Sequence, residues 1–329
     1  MDRKSAILIT FAAAAFGLSA CAAQHSQLSL RETAWLAADG QLEALSSEPH
    51  VDREALFVAA MDSELADHYA SPESLRNDLL VGEFLFEAPL LLGGQAAKAG
   101  ISCHSCHVNG TDNPHFLFPA ISGEAGTADT THSFFSKSLG NQTFDPIVIP
   151  DLTMADKVDH SMKSGELEAF LTTIIIGEFS GAAAPSSTLA PIATYVRALR
   201  LSGPRQEPIR NPRSLTQDFA DLRLAVDQAM HRARNAESEL AALLLSSGQS
   251  QIRSIHERVN RTSHTHLRNW LIERSREMGA LRQRLNARDP DAQNQLAALQ
   301  ERLRSMPDIT DAEADSLYNP EVLAKALRQ

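Results

Sequence analysis

Cys103-His104-Ser105-Cys106-His107 is the stretch from which the rest of this chain is read. Cys-x-x-Cys-His is the pattern that attaches a c-type haem covalently. One helical turn lets the two thiols reach the two vinyl groups of one porphyrin edge. The residue that follows then offers an imidazole nitrogen to the iron. The motif predicts one covalent haem c (heme c) on Cys103 and Cys106, with His107 as iron ligand. A chance match, a redox dithiol and half a zinc site are the alternatives, and a count of three cysteines leaves them little room. His107 is expected to give its second ring N–H to a backbone carbonyl, which sets the tautomer. Pro114 and Pro119 are the candidates for that carbonyl.

The third cysteine, Cys21, ends a different pattern. Arg3 and Lys4 open the chain with positive charge, and Ile7 to Gly17 is apolar. An apolar run of that length suits a signal peptide and is too short to span a bilayer. Leu18-Ser19-Ala20-Cys21 resembles a bacterial lipoprotein lipobox. The resemblance implies cleavage before Cys21 and lipidation of its thiol and new amino group, and several acyl chains make a stable anchor. Ordinary cleavage to a soluble periplasmic protein is the alternative. Ala22 follows the cysteine, with no Asp to signal inner-membrane retention, so the expected place is the periplasmic side of the outer membrane. Haem attachment agrees with export, because c-type haem is added beyond the bacterial inner membrane.

Charge divides the chain. Residues 1–200 hold 11 Lys+Arg against 24 Asp+Glu, and residues 201–329 hold 19 against 17. Neither part has the strong positive excess that nucleic acid demands. An acidic face around a haem steers a basic redox partner, although acidic residues also serve as plain solvated surface.

The expected fold is all-α. A signal peptide (1–20) and a tether (21–50, with one short helix near Leu30 to Leu45) precede a cytochrome c-like haem domain with long loops (51–203). A helical hairpin or small bundle (204–329) follows. Ser71-Pro72-Glu73 starts a helix, with serine as cap and proline in the first turn. Leu75, Leu79, Leu80 and Phe84 follow at helical spacing, and Gly93-Gly94 is the expected break. Residues 108–152, rich in Gly, Thr, Asp, Asn and Pro, form a long loop, which at this length is functional or disordered. Phe116, Phe118, Phe134, Phe135 and Phe144 are assigned to the wall of the haem pocket. Apolar helices over Leu167 to Ile176 and Thr188 to Leu199 close the region. In the last part, Ser214 to Gln217 is a capping box. Ser246-Ser247-Gly248 is the expected end of the first bundle helix, and Ile252, Ile255 and Val259 open the second, which runs through Trp270 and Leu281. Asp289-Pro290 starts a third helix, with Leu296, Leu299 and Leu303 on one stripe, and Thr310 a fourth. His231, His256, His264 and His266 share no tight spacing and predict no second metal site.

Four segments together resemble a haem domain of the bacterial dihaem cytochrome c peroxidase family over roughly residues 80–203. They are Leu85 to Pro89; Gly100 to His107; Phe144-Asp145-Pro146 with Pro150-Asp151-Leu152; and the closing pair Glu166-Leu167-Glu168 and Ile192 to Leu199. The resemblance implies a cytochrome c-like fold and redox chemistry at haem. This chain departs from it in three ways. It has one Cys-x-x-Cys-His, so a two-haem relay is missing. Ile174 stands near the place of the family's distal Met. Gly123 stands near the place of the family's second His.

The sixth iron ligand is therefore open. Met154 and Met162 offer thioethers that raise the potential, and His160 offers an imidazole that lowers it. His115, His132 or no protein ligand are the other possibilities. Two functional classes follow: a lipid-tethered cytochrome passing electrons to a periplasmic redox partner protein, or a peroxidase-like enzyme with an open sixth position. The enzyme needs an acid or base above the iron, for which Glu124, Asp129 and His132 are candidates. A haem-based sensor with the helical tail as transmitter is a third reading that no residue favours.

Overall fold

The computed structural model describes residues 50–119, 121–162, 165–201, 210–211, 213–259 and 263–326. The expected signal peptide, Cys21 and all of the tether up to Glu48-Pro49 lie outside the described residues, as does the short helix near Leu30 to Leu45. The chain is all-α, with thirteen α-helices and two two-stranded ribbons among the described residues.

The first region is built on two helices. α1 (Arg53–Met61) precedes α2 (Pro72–Phe86), whose N-cap is Ser71 as the sequence predicts. The Ser71 hydroxyl accepts from the Ser74 N–H, and Ser74 answers to the Ser71 backbone. α2 stops at Phe86, seven residues before the expected glycine break. Pro89 is the reason: it holds Ala88 extended (ψ 107) and starts a separate turn, α3 (Pro89–Leu92). α4 (Gly94–Ala99) then leads to Gly100, whose left-handed φ of 73° turns the chain into the cysteine motif.

α2 packs on α7 (Ser186–Leu201), the second closing helix. Gly82 makes the approach possible. A Cβ there would lie 2.7 Å from both the Pro191 carbonyl carbon and Tyr195 Cβ, with the Pro191 oxygen nearer still. Phe86 and Tyr195 meet edge-on across this seam, with ring centroids 5.6 Å apart. The first closing helix, α6 (Glu166–Thr173), continues into a π turn over Ile174–Glu178. Arg197 of α7 is buried and forks onto both oxygens of Glu168, at 2.7 and 3.0 Å, which fixes α6 to α7.

The long loop is ordered by its own bonds. A ribbon pairs β2 (Thr127–Ala128) with β3 (Ile147–Val148), the Leu152 N–H donates to the Gly110 carbonyl, and Asn113 donates to Ser105 in the motif helix.

The second region is a helical bundle. α8 (Leu215–Arg234), α9 (Ser238–Arg258) and α10 (Thr265–Asn286) pack in sequence. α11 (Ala292–Arg304) lies against α8 and α10, and α12 (Thr310–Ala314) and α13 (Pro320–Ala326) follow. Ser246-Ser247-Gly248 does not end a helix; it is the buried middle of α9. A Cβ at Gly248 would lie 3.3 Å from Met278 Sδ and 3.5 Å from Leu222 Cδ1, so both neighbouring helices pass close to α9 there. The actual turn is Asn235-Ala236-Glu237, where Ala236 adopts φ 62°. Ile252, Ile255 and Val259 therefore belong to the end of α9. Leu296, Leu299 and Leu303 are buried as expected.

The bundle packs both on itself and on the first region, and their buried residues form one core. β1 (His50–Val51) pairs with β4 (Arg210–Asn211), and the Leu90 N–H donates to the Ser246 hydroxyl. A buried ionic network crosses the same seam. Arg53 binds Glu83 of α2 and Asp221 of α8, while His50, Arg213 and Tyr318 converge on Asp218. Burial alone would raise the Asp218 carboxyl, but Arg213, His50 and Arg258 outweigh it and pull it down to about 2. No helix among the described residues is long and apolar enough to cross a membrane.

Candidate functional site

The motif forms one helical turn, α5 (Cys103–Cys106), entered through Ser102 and left through His107. The side chains of Cys103, Cys106 and His107 line one cavity of about 290 Å³. Phe86 of α2, Leu92 of α3 and Val196 of α7 form the side nearest the core. Ala128, Ile147, Ile149 and Pro150 come from the loop, and Leu167, Phe170, Leu171 and Ile174 from α6 and the π turn. The cavity is thus apolar nearly all round.

His107 is fixed as a ligand would be. Its Nδ1 lies 3.0 Å from the Pro150 carbonyl oxygen, so Nδ1–H donates there and Nε2 is the unprotonated nitrogen. The acceptor is Pro150, neither Pro114 nor Pro119; the loop brings it back from 43 residues downstream. Burial pushes the imidazole down to about 4 despite that bond, so it is neutral at pH 7 and able to coordinate. Cys103 and Cys106 are free thiols, and burial pushes both up to about 12. Among the described residues no three His, Cys, Asp or Glu side chains converge to hold a bare metal ion.

These residues fit a covalent haem. Two thiols one turn apart and a neutral imidazole face a single apolar chamber. Ile147 (67% exposed) and Phe170 (43% exposed) line that chamber while open to water, and a flat apolar group seated there would cover both.

The five loop phenylalanines do not form the wall. None of them lines the cavity. Phe118, Phe134 and Phe135 cluster together, and Phe135 backs Phe179, which does line it, with centroids 5.4 Å apart. Phe116 is buried elsewhere in the core and Phe144 points outward. The wall needs side chains from α2, α6 and α7, which reach it through tertiary packing.

None of the candidate sixth ligands lines the cavity. Met154 is 41% exposed and Met162 packs on the core, and neither lines the cavity. His160 is 8% exposed, and its Nε2–H donates to the Leu152 carbonyl at 2.9 Å, which pins the loop. His115 and His132 are absent from the lining as well, as are Glu124 and Asp129. Ile174 does face the cavity.

The acid that the cavity does hold is Glu178, at the end of the π turn and bonded to Thr130. Burial raises its pKa, and the Thr130 hydroxyl offsets only part of the rise. π turns occur often at functional sites, and this one is braced from the loop. Ser136 and Ser138 donate to the Gly177 carbonyl, and Ser180 donates to the Phe135 carbonyl. The readable signal was a lone acid ending the apolar run Ile174-Ile175-Ile176-Gly177.

Comparison with protein-family models, with curated proteins and with solved structures gave no match.

Proposed function

We propose that this chain is a single-haem c-type cytochrome, held by lipid at the periplasmic face of the bacterial outer membrane, that passes electrons to and from a periplasmic partner protein. One observation carries the reading: Cys103, Cys106 and a neutral, Pro150-oriented His107 open into the same apolar cavity. The bound haem would supply a one-electron couple. The protein's part is to attach it through Cys103 and Cys106, to present His107 Nε2, and to exclude water with Phe86, Leu171 and Val196. The cytochrome c-like fold suggested by the resemblance is part of the same proposal.

The lipid anchor rests on Leu18 to Cys21. Cys21→Ser is expected to move the protein from the membrane pellet to the soluble periplasmic fraction. Unchanged fractionation would remove the anchor from the account.

One feature favours a second reading, reduction of peroxide at an open sixth position. The cavity lining holds Ile174, Thr130 and Glu178 but no Met and no second His among the described residues. Hydrogen peroxide takes up two electrons and two protons to give two waters. With one haem, a partner must supply the electrons singly. Glu178, whose pKa burial raises, lines the same cavity and would be the residue to give a proton to the leaving oxygen. Two measurements separate the readings: a potentiometric titration, and cyanide and peroxide added to the purified ferric protein. A reversible one-electron couple with no response to either ligand supports the carrier, and the lack of such a couple refutes it. A response to both supports the enzyme, and Glu178→Gln should then slow the peroxide reaction about a hundredfold while leaving the haem attached. An equal rate in that variant would take Glu178 out of the chemistry.

A further inference from the structure

A second cavity, of about 390 Å³, lies between α9 and α10, with Pro89 and Ala97 at its edge. Arg253, Arg276 and Arg282 line it, together with His256, Ser250 and Ser275. Among the described residues no Asp or Glu lines it, although the chain carries a net charge of −11.

Several guanidinium groups elsewhere in this protein meet carboxylates, while Arg223 is satisfied by the Leu303 carbonyl. Arg53 has Glu83 and Asp221, Arg197 has Glu168, Arg213 has Asp218, and Arg232 has Glu237. Arg282 is treated differently. Its Nε is buried without a partner, and its Nη1 donates to the neutral side-chain carbonyl of Gln249. Burial lowers its pKa, and no carboxylate opposes that effect. Arg282 is half-buried, and a charge drawn partly from water without a counter-charge loses hydration that nothing repays. An anion in this cavity would supply the missing one.

We propose that the cavity binds an oxyanion of the phosphate type, held by Arg253, Arg276 and Arg282 with the Ser250 and Ser275 hydroxyls as neutral donors. The planar guanidinium fork matches two oxygens of such a group at once. Free phosphate and the headgroup of an anionic phospholipid offer the same chemistry. The Arg253 guanidinium also packs against Gly100, three residues before Cys103, so the site adjoins the approach to the cysteine motif. The proposal does not depend on the haem.

The test uses the full chain, titrated calorimetrically with inorganic phosphate against chloride at matched ionic strength. Saturable phosphate binding is expected, weakened roughly tenfold or more by Arg282→Gln and by Arg276→Gln. Phosphate should also raise the melting temperature of the parent protein and not that of Arg282→Gln. A second arm adds Cys21→Ser protein, which lacks the expected anchor, to phosphatidylglycerol or phosphatidylcholine vesicles. Binding to phosphatidylglycerol alone, lost in Arg276→Gln, identifies a lipid headgroup. Saturable phosphate binding without vesicle binding identifies the free ion. Arg276 is exposed, so its variant carries the test if Arg282→Gln fails to fold. The proposal is overturned if neither phosphate nor phosphatidylglycerol binds beyond its control, or if both Arg variants bind as the parent does.

Discussion

Replacing both cysteines, Cys103→Ala with Cys106→Ala, is expected to abolish covalent haem and leave the fold intact. Both thiols lie in the cavity wall and neither is bonded to another cysteine, so their loss breaks no cross-link. Alanine suits a one-turn helix, and the Ser102–Ser105 contacts that frame the turn remain. The apolar walls and His107 would still admit haem, but a group held only by packing and one coordination bond is lost in denaturant. A haem stain on a denaturing gel therefore disappears in the double variant while the circular dichroism stays helical. Each single variant, with one thioether left, keeps a stain. Stain that survives in the double variant would show that attachment is elsewhere.

Gly82→Ala should be the most damaging single methyl group that can be added to the first region. In an open helix the change would stabilise by up to about 1 kcal/mol. Here the new Cβ would run into the Pro191 carbonyl and Tyr195 Cβ. Backbone cannot rotate away as a side chain can, so α2 and α7 must separate. That separation disrupts Phe84, Phe86, Tyr195 and Val196, all almost wholly buried. A net loss of about 3 kcal/mol is expected, at the upper end for overpacking, and it should show as a lower urea midpoint. Phe86 and Val196 also line the cavity, so haem incorporation should fall with stability. Gly279→Ala is the control. Among the described residues an added Cβ there would meet only the movable end of the Gln249 side chain, at 3.4 Å, so the change should be neutral or stabilising. A Gly82→Ala midpoint at or above the parent's would mean that the two helices are not held this closely.

What could be read from the sequence was local. Ser71-Pro72 starts a helix because a hydroxyl cap and a fixed φ act within one turn. Leu296, Leu299 and Leu303 mark a buried stripe because helical periodicity is a property of neighbours in sequence. The cysteine motif is equally local. What escaped reading depends on contacts between distant segments. Ser246-Ser247-Gly248 has the composition of a helix end, yet it lies buried inside α9, where Leu222 and Met278 approach Gly248. The phenylalanines of the loop suggested a pocket wall by composition alone, whereas the wall is assembled from helices distant in sequence together with other residues of the loop. The carbonyl that orients His107 is brought back by the loop from Pro150, and no spacing rule points to it. Glu178 could have been noticed as a lone acid after three isoleucines, but its place in the cavity follows only from the π turn and the serines that brace it.

The mass of the intact chain under denaturing conditions tests the central claim most directly. The protein should be purified from a bacterial host that matures c-type cytochromes, with a known cytochrome as control. The account predicts a polypeptide heavier by one haem, and a return to the bare polypeptide mass for Cys103→Ala with Cys106→Ala. A bare mass for the parent chain, in a host that has loaded the control, would contradict it.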